Sequence, residues 1–263
     1  MKNYFTKITL LVIAFIALIA ACVSFIFTKD NHFNNDSAYN LVSFLSEYGV
    51  IIDENLIDTK TQYVMNTELK SITSDKAALS KNILGNDVSV LADTYTSPLG
   101  TITFTGSDFN FKPAKEYSED ITKDAGKFDA NKKAEKLLQS LDFNLDGSRI
   151  SNIEEDSTIK VTVTKTIDGL PVFDDTLNVS MNKLGTTSII GRWYSNAGPL
   201  KYKRPSKTIV DASIELMQTK SENMEIVDIQ LGYLLKDTSA DISILRPVWQ
   251  FTTTDGDIVY IDA

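Results

Sequence analysis

The stretch from Ile8 to Phe27, ITLLVIAFIALIAACVSFIF, constrains this chain more than any other. Its 20 residues carry no charge, and only Thr9 and Ser24 are polar. A helix rises about 1.5 Å per residue, so such a run spans roughly 30 Å, the hydrocarbon thickness of a bilayer. Lys2 and Lys7 precede it, and the first charges after it, Lys29 and Asp30, cancel. Positive flanks stay in the cytoplasm. The pattern predicts a single-pass anchor over residues 1–28, with a cytoplasmic N-terminus, in the cell membrane. The rest of the chain is expected to be extracytoplasmic.

Two other readings of the run stay open. A cleaved signal peptide has a shorter apolar core and a small-residue cleavage site. Ile19-Ala20-Ala21-Cys22 fits the box that bacterial lipoproteins carry before a lipidated Cys. Against both, Val23 to Phe27 continue the apolar run past Cys22, where a lipoprotein usually turns polar. With an uncleaved anchor Cys22 lies in the bilayer, and no Cys remains outside for an intramolecular disulfide. Ala14, Ala17, Ala21 and Ser24 follow a 3-4-3 spacing on one helical face. Small side chains there let a second helix approach closely, which marks a candidate helix–helix binding face. The plainer reading is that Ala is common in any membrane helix.

Beyond the anchor the composition is that of a folded protein. The chain is 43% hydrophobic and 23% charged, too apolar for disorder. The formal net charge is −9, and without Lys2 and Lys7 the exported part carries −11. So acidic a surface gives no electrostatic reason to bind nucleic acid. One Cys and one His cannot build a usual zinc site. His32 sits in a polar juxtamembrane stretch and reads as solvated. There is no phosphate loop and no G-x-G-x-x-G. The acid pairs Glu154-Glu155-Asp156 and Asp174-Asp175 read as exposed turns rather than an acid–base couple. Asp142-Phe-Asn144-Leu-Asp146-Gly147 opens like a calcium loop. That loop needs an apolar residue at position 8 and Glu at position 12. Arg149 and Ile153 stand there instead, which favours a helix-to-strand turn. No catalytic residue, metal or cofactor is expected.

Periodicity then places the elements. Leu41, Phe44, Leu45 and Tyr48 mark a helix stopped by Gly49, and Thr59 to Leu69 alternates like a strand. Ser74 to Leu84 is a short helix closed by Gly85. Val88 to Phe111 reads as two strands around Ser97–Gly100. Asp129 to Leu141 is an amphipathic helix striped by Ala134, Leu137, Leu138 and Leu141. Strands follow at Thr158–Thr166, Val172–Met181 and Ser188–Tyr194, with a hairpin turn at Asp168-Gly169. The tail repeats this order: a helix from Ser206 to Met217, then strands at Ile226–Leu235, Leu245–Thr252 and Ile258–Ile261, with Pro247 near a strand start. Trp193, Tyr194, Trp249 and Tyr260 lie in or beside strands and read as core filling, or else as an aromatic patch for a partner. The fold class is α+β: a transmembrane helix, then small helix-plus-antiparallel-sheet units. The expected partition is 1–28 anchor, 29–112 α+β domain, 113–127 linker, and two further units at 128–200 and 201–263.

The layout resembles the YycI/YycH family of membrane-anchored regulators of the WalK (YycG)-type sensor kinase, and YycI more than YycH. The resemblance rests on the N-terminal span, Leu45-Ser-Glu-Tyr-Gly49-Val-Ile-Ile, Asn82-Ile-Leu-Gly85, Gly100-Thr-Ile-Thr-Phe and Arg246-Pro247-Val248-Trp249-Gln-Phe. Asp255-Gly256 and the closing Tyr260-Ile261-Asp262-Ala263 complete it. The two C-terminal units also look like PepSY-type modules. The motifs are short, and their order along nearly the whole chain carries the likeness. The resemblance implies a non-catalytic regulator whose partners are a sensor histidine kinase in the membrane and a sister YycH-like protein, in a system governing cell-wall metabolism. The competing expectation is a PepSY-like exported protein, or lipoprotein, that binds or inhibits a wall-associated enzyme.

Overall fold

The computed structural model describes residues 38–114, 129–155, 158–182, 185–196, 203–219, 223–237 and 241–263. The anchor with Ala14, Ala17, Ala21, Ser24 and Cys22, as well as His32 and most of the 113–127 linker, lies outside these residues. No helix among the described residues is long and apolar enough to cross a membrane.

The chain forms two compact units. The smaller draws, among the described residues, on 38–62, on Lys207–Ile229 and on Gln250–Ile261. The larger comprises Tyr63–Ser206, Gln230–Trp249 and Asp262–Ala263. The partition expected from sequence follows chain order, whereas compactness follows strand pairing. Strands β14 (Met224–Asp237) and β15 (Ile242–Thr253) each contribute residues to both units.

In the smaller unit, helix α1 (38–47) buries Ala38, Leu41 and Leu45, one face at helical spacing. Gly49 ends it with φ +80°, a conformation that suits glycine. Strand β1 (Val50–Ile52) pairs parallel with β14, Val50 opposite Met224 and Ile52 opposite Ile226. This departs from the antiparallel expectation. Helix α4 (Ile209–Thr219) starts where the Asp211 amide donates to the Thr208 hydroxyl, and it buries Ile209, Ala212 and Leu216. Strand β16 (Ile258–Asp262) returns along β15 after a turn at Gly256.

The larger unit is built on an eight-stranded antiparallel sheet in the order β8-β9-β10-β11-β7-β6-β5-β4. These are Arg149–Glu155, Thr158–Ile167, Leu170–Asn182, Gly185–Gly191, Asp108–Pro113, Gly100–Thr105, Thr94–Ser97 and Ser89–Leu91 respectively. Helices α2 (Lys76–Leu84) and α3 (Ala130–Ser140) cover it. Asp75 and Asp129 cap them through the amides of Ala78 and Lys132. The core joins Leu79, Ile83 and Leu84 of α2 with Ala134, Leu137 and Leu138 of α3. Both sets pack on the inward residues Ile102, Phe104, Phe109, Phe111, Val161, Val163, Leu177 and Val179. Asp168 and Gly169 take positive φ (54° and 82°), the geometry of a tight hairpin.

Further strand expectations change. Val88–Phe111 holds four strands, β4 to β7, rather than two. Thr59–Leu69 is not one strand: β2 (Tyr63–Met65) pairs with β13 (Lys203–Pro205), while β3 (Glu68–Ser71) pairs with β12 (Tyr194–Asn196) and β15. Pro247 lies inside β15 rather than at its start. It is tolerated where the neighbour changes. The Leu245 amide donates to the Thr67 carbonyl, whereas two residues on it is the Pro247 carbonyl that accepts, from the Ala263 amide.

Candidate functional site

The β9–β10 ladder pairs regularly from Met181 opposite Ile159 to Thr176 opposite Thr164, and then again at Pro171 opposite Thr166. Between these points β9 supplies only Lys165, while β10 supplies residues 172–175. The excess residues make a wide bulge, and each has its own destination. Val172 pairs parallel with Tyr233 of β14. Phe173 lies over Gly232, where a Cβ would come within 2.6 Å of the ring. Asp174 accepts from the Leu235 amide at 2.9 and 3.2 Å.

Asp175 takes the core face. It is 0% exposed, and neither carboxylate oxygen has a hydrogen-bond partner. It shares its alternation with Leu177 and Val179, and Lys165 shares that of Val161 and Val163 on the facing strand. The two charges therefore oppose each other on the inward face of the sheet. Burial raises the Asp175 carboxyl well above its ordinary value of 3.8, and the Lys165 charge opposes the rise. The Tyr194 amide also acts against it, although it lies outside hydrogen-bond geometry. Burial lowers Lys165 from 10.5, with Asp175 pulling the other way. The Lys165 ammonium sits 4.9 Å from the centroid of the Trp193 ring.

Lys165 and Trp193 open onto a cavity of about 630 Å³ in the larger unit. Its floor is apolar and buried: Leu79, Leu141, Phe143, Ile167, Trp193 and Tyr194. Its mouth is polar and exposed: Asp75, Asn82, Asp142, Asn144 and Asp146. The turn after α3 shapes that mouth. Asp142 and Gly147 have positive φ (67° and 70°), and the Asn144 side chain accepts from the Asp146 amide at 2.9 Å. The Thr166 hydroxyl donates to the Gly147 carbonyl, and the Trp193 indole donates to the Asn144 carbonyl at 3.2 Å. The calcium-like segment is thus a helix-to-strand turn. Among the described residues no cluster of His, Cys, Asp or Glu is arranged to hold a metal ion. Beside the cavity Arg192 forms a two-point ion pair with Asp108 at 2.9 and 3.1 Å, and that bond raises its pKa.

Several expectations resolve here. Trp193, Tyr194 and Trp249 are buried, so they fill core rather than form an exposed patch. Tyr260 is half-buried and accepts from the Gln250 side chain at 3.0 Å. Glu154 and Glu155 are exposed. Asp174-Asp175 is not the exposed turn the sequence reading made of it, because the bulge splits the pair and drives Asp175 inward. The proposed helix–helix residues Ala14, Ala17, Ala21 and Ser24 fall outside the described residues.

No family model matches the sequence, and no curated protein does so either. Solved structures share the fold, among them two that each match 78% of this chain. One is an uncharacterized protein from Eubacterium rectale: TM-score 0.51, 14% identity, 78% of this chain and 82% of that one. The other is YycH from Bacillus subtilis: TM-score 0.53, 15% identity, 78% of this chain and 53% of that one. The chain therefore spans about half the length of YycH. What these likenesses define is a mixed α+β fold, rich in strands and similar to that of YycH.

Proposed function

We propose that this chain is a non-catalytic, membrane-anchored extracytoplasmic regulator of a WalK-type sensor histidine kinase, working beside a sister YycH-like protein. The observation that carries the reading is the YycH-like fold over 78% of the chain, joined to a charge-free N-terminal run of spanning length. In this reading Ala14, Ala17, Ala21 and Ser24 meet a kinase span within the bilayer, where close packing drives association. The exported units meet the kinase sensor outside. The helix-and-strand sets α3 with β8–β11 and α4 with β14–β16 are the two PepSY-like modules. No chemistry is required of such a regulator: a few kcal/mol of differential binding biases a two-state kinase.

The test replaces residues 1–28 with an unrelated span and reads transcription under the kinase's response regulator, beside a full deletion. The expected outcome is that deletion shifts the transcript and that the swap reproduces much of this shift. An unchanged transcript on full deletion refutes the regulator. A shift on deletion that the swapped chain restores leaves the anchor as a mere tether. The second reading, an exported lipoprotein acting on a wall enzyme, draws on Ile19-Ala20-Ala21-Cys22. It predicts a mature chain beginning at an acylated Cys22, which mass spectrometry of the N-terminal peptide decides.

A further inference from the structure

The cavity beside Trp193 has the size of a small-ligand site, since such sites run to about 300–1,000 Å³. Its charge is one-sided at the mouth. Three exposed carboxylates, Asp75, Asp142 and Asp146, stand at the mouth, together with the amides Asn82 and Asn144. The lining's cation is Lys165. It is faced on the same side of the sheet by the wholly buried, unpartnered Asp175. Movement of a proton between Asp175 and Lys165 leaves their sum at zero. While the two hold a single proton the pair adds no net charge to the cavity, and the three mouth carboxylates set its potential. Lys165 is also held near the Trp193 ring.

We propose that this cavity binds an organic cation, a primary amine or guanidinium on a short apolar stem. The charged group sits among Asp75, Asp142 and Asp146, and the stem lies against Leu79, Phe143 and Trp193. The same chemistry comes from two sources, a free amine or a basic side chain of a protein partner. The assignment stands apart from the kinase reading, because it rests on the cavity alone.

The experiment is calorimetric titration of the full chain in detergent micelles. Phenethylamine is the free amine, N-acetylarginine amide stands for a basic side chain, and phenethyl alcohol and phenylpropionate are the neutral and anionic counterparts. Saturable binding of a cationic probe is expected, about tenfold tighter than that of phenethyl alcohol, which is about 1.4 kcal/mol. A preference for phenethylamine identifies a free amine and a preference for the arginine amide a partner side chain. Either supports the assignment. The double variant Asp142→Asn/Asp146→Asn keeps the turn, since Asn tolerates positive φ, and should weaken the cation about tenfold while the alcohol is unaffected. Equal affinity for the alcohol, preference for phenylpropionate, an unchanged double variant, or no saturable binding by any probe overturns the proposal.

Discussion

Lys165→Met tests whether the inward-facing charges are energetically joined. Asp175 is 0% exposed and cannot turn to water, whereas Lys165 lines an open cavity. Losing the ammonium therefore strands the carboxylate, while losing the carboxylate leaves a lysine with a way out. Deleting one partner of a buried pair costs on the order of 3–5 kcal/mol, mostly the penalty on the charge left behind. The stranded group has one escape, which is to hold a proton, so the cost depends on pH. Burial already raises the folded Asp175 pKa above the ordinary 3.8, and Lys165 opposes that rise. Above 3.8 the unfolded chain gives up this proton before the folded chain does. Within that window stability falls as pH rises, by about 1.4 kcal/mol per unit. Removing Lys165 extends the window upward.

Lys165 contributes the opposite slope in the wild type. Its folded pKa is lowered from 10.5, so below that value the unfolded chain binds the extra proton and stability is lost as pH falls. The variant lacks this contribution. Urea unfolding of the full chain in micelles, followed by tryptophan fluorescence from about pH 4 to about pH 8, follows the carboxyl through its window. The expected result is a small deficit for Lys165→Met at the acid end that widens steadily toward neutrality. The double variant Lys165→Met/Asp175→Leu should recover most of the neutral-pH loss, because apolar replacement of both partners removes the stranded charge. A deficit that stays constant across the range, or a double variant no better than the single, refutes the coupling.

Other perturbations probe the supports of the same unit. Tyr233→Phe removes the hydroxyl that accepts from the Met65 amide at 2.8 Å inside the protein. It should cost about 1–3 kcal/mol in the denaturation midpoint, the penalty of a buried unsatisfied donor. In Gly191→Ala the new Cβ would collide with the Thr176 carbonyl, at a backbone φ of +154° that side chains rarely adopt. A loss of about 1–3 kcal/mol or more is expected, with faster hydrogen exchange at the Arg192 amide, which donates to that carbonyl. Asp108→Asn weakens the two-point pair to Arg192, whose side chains remain 31% and 45% exposed. Solvent screening holds the expected loss to about 0.5–1 kcal/mol, diminishing with added salt.

What the sequence made legible follows the range of the forces involved. Helix α3 was visible because Asp129 caps it and Ala134, Leu137 and Leu138 recur at helical spacing, all within one stretch. Strand β6 was visible because Thr and apolar residues alternate without a break, and the Asp168-Gly169 turn because few residue pairs accept positive φ twice. The parallel pairing of β1 with β14 was not visible. Val50 and Met224 meet across most of the chain, and a strand's own pattern does not name its neighbour. The break between β2 and β3 was hidden for the same reason. Each short strand follows a different partner, and Thr67 between them is polar but buried.

The candidate site was hidden by the rule that reveals the core. Alternation works by assuming that a charged residue at an inward position ends the strand or marks a turn, since an unpaired buried charge is costly. By that rule Asp174-Asp175 becomes a turn, and Lys165, within the strand expected over Thr158–Thr166, passes without remark. Yet Asp175 keeps the parity of Leu177, Val179 and Met181, and Lys165 that of Val161 and Ile167. Each violation stands alone within its own strand. Only the register, in which Val161 faces Val179 and Val163 faces Leu177, brings the next inward position of each strand together. Register depends on the turn and on the bulge between Pro171 and Thr176, and a bulge is an irregularity that periodicity treats as noise. Two inward charges of opposite sign, one on each strand of a hairpin and equally far from its regular core pairs, are a sequence-level sign of such a site. Finding them requires reading the two strands against each other rather than one at a time.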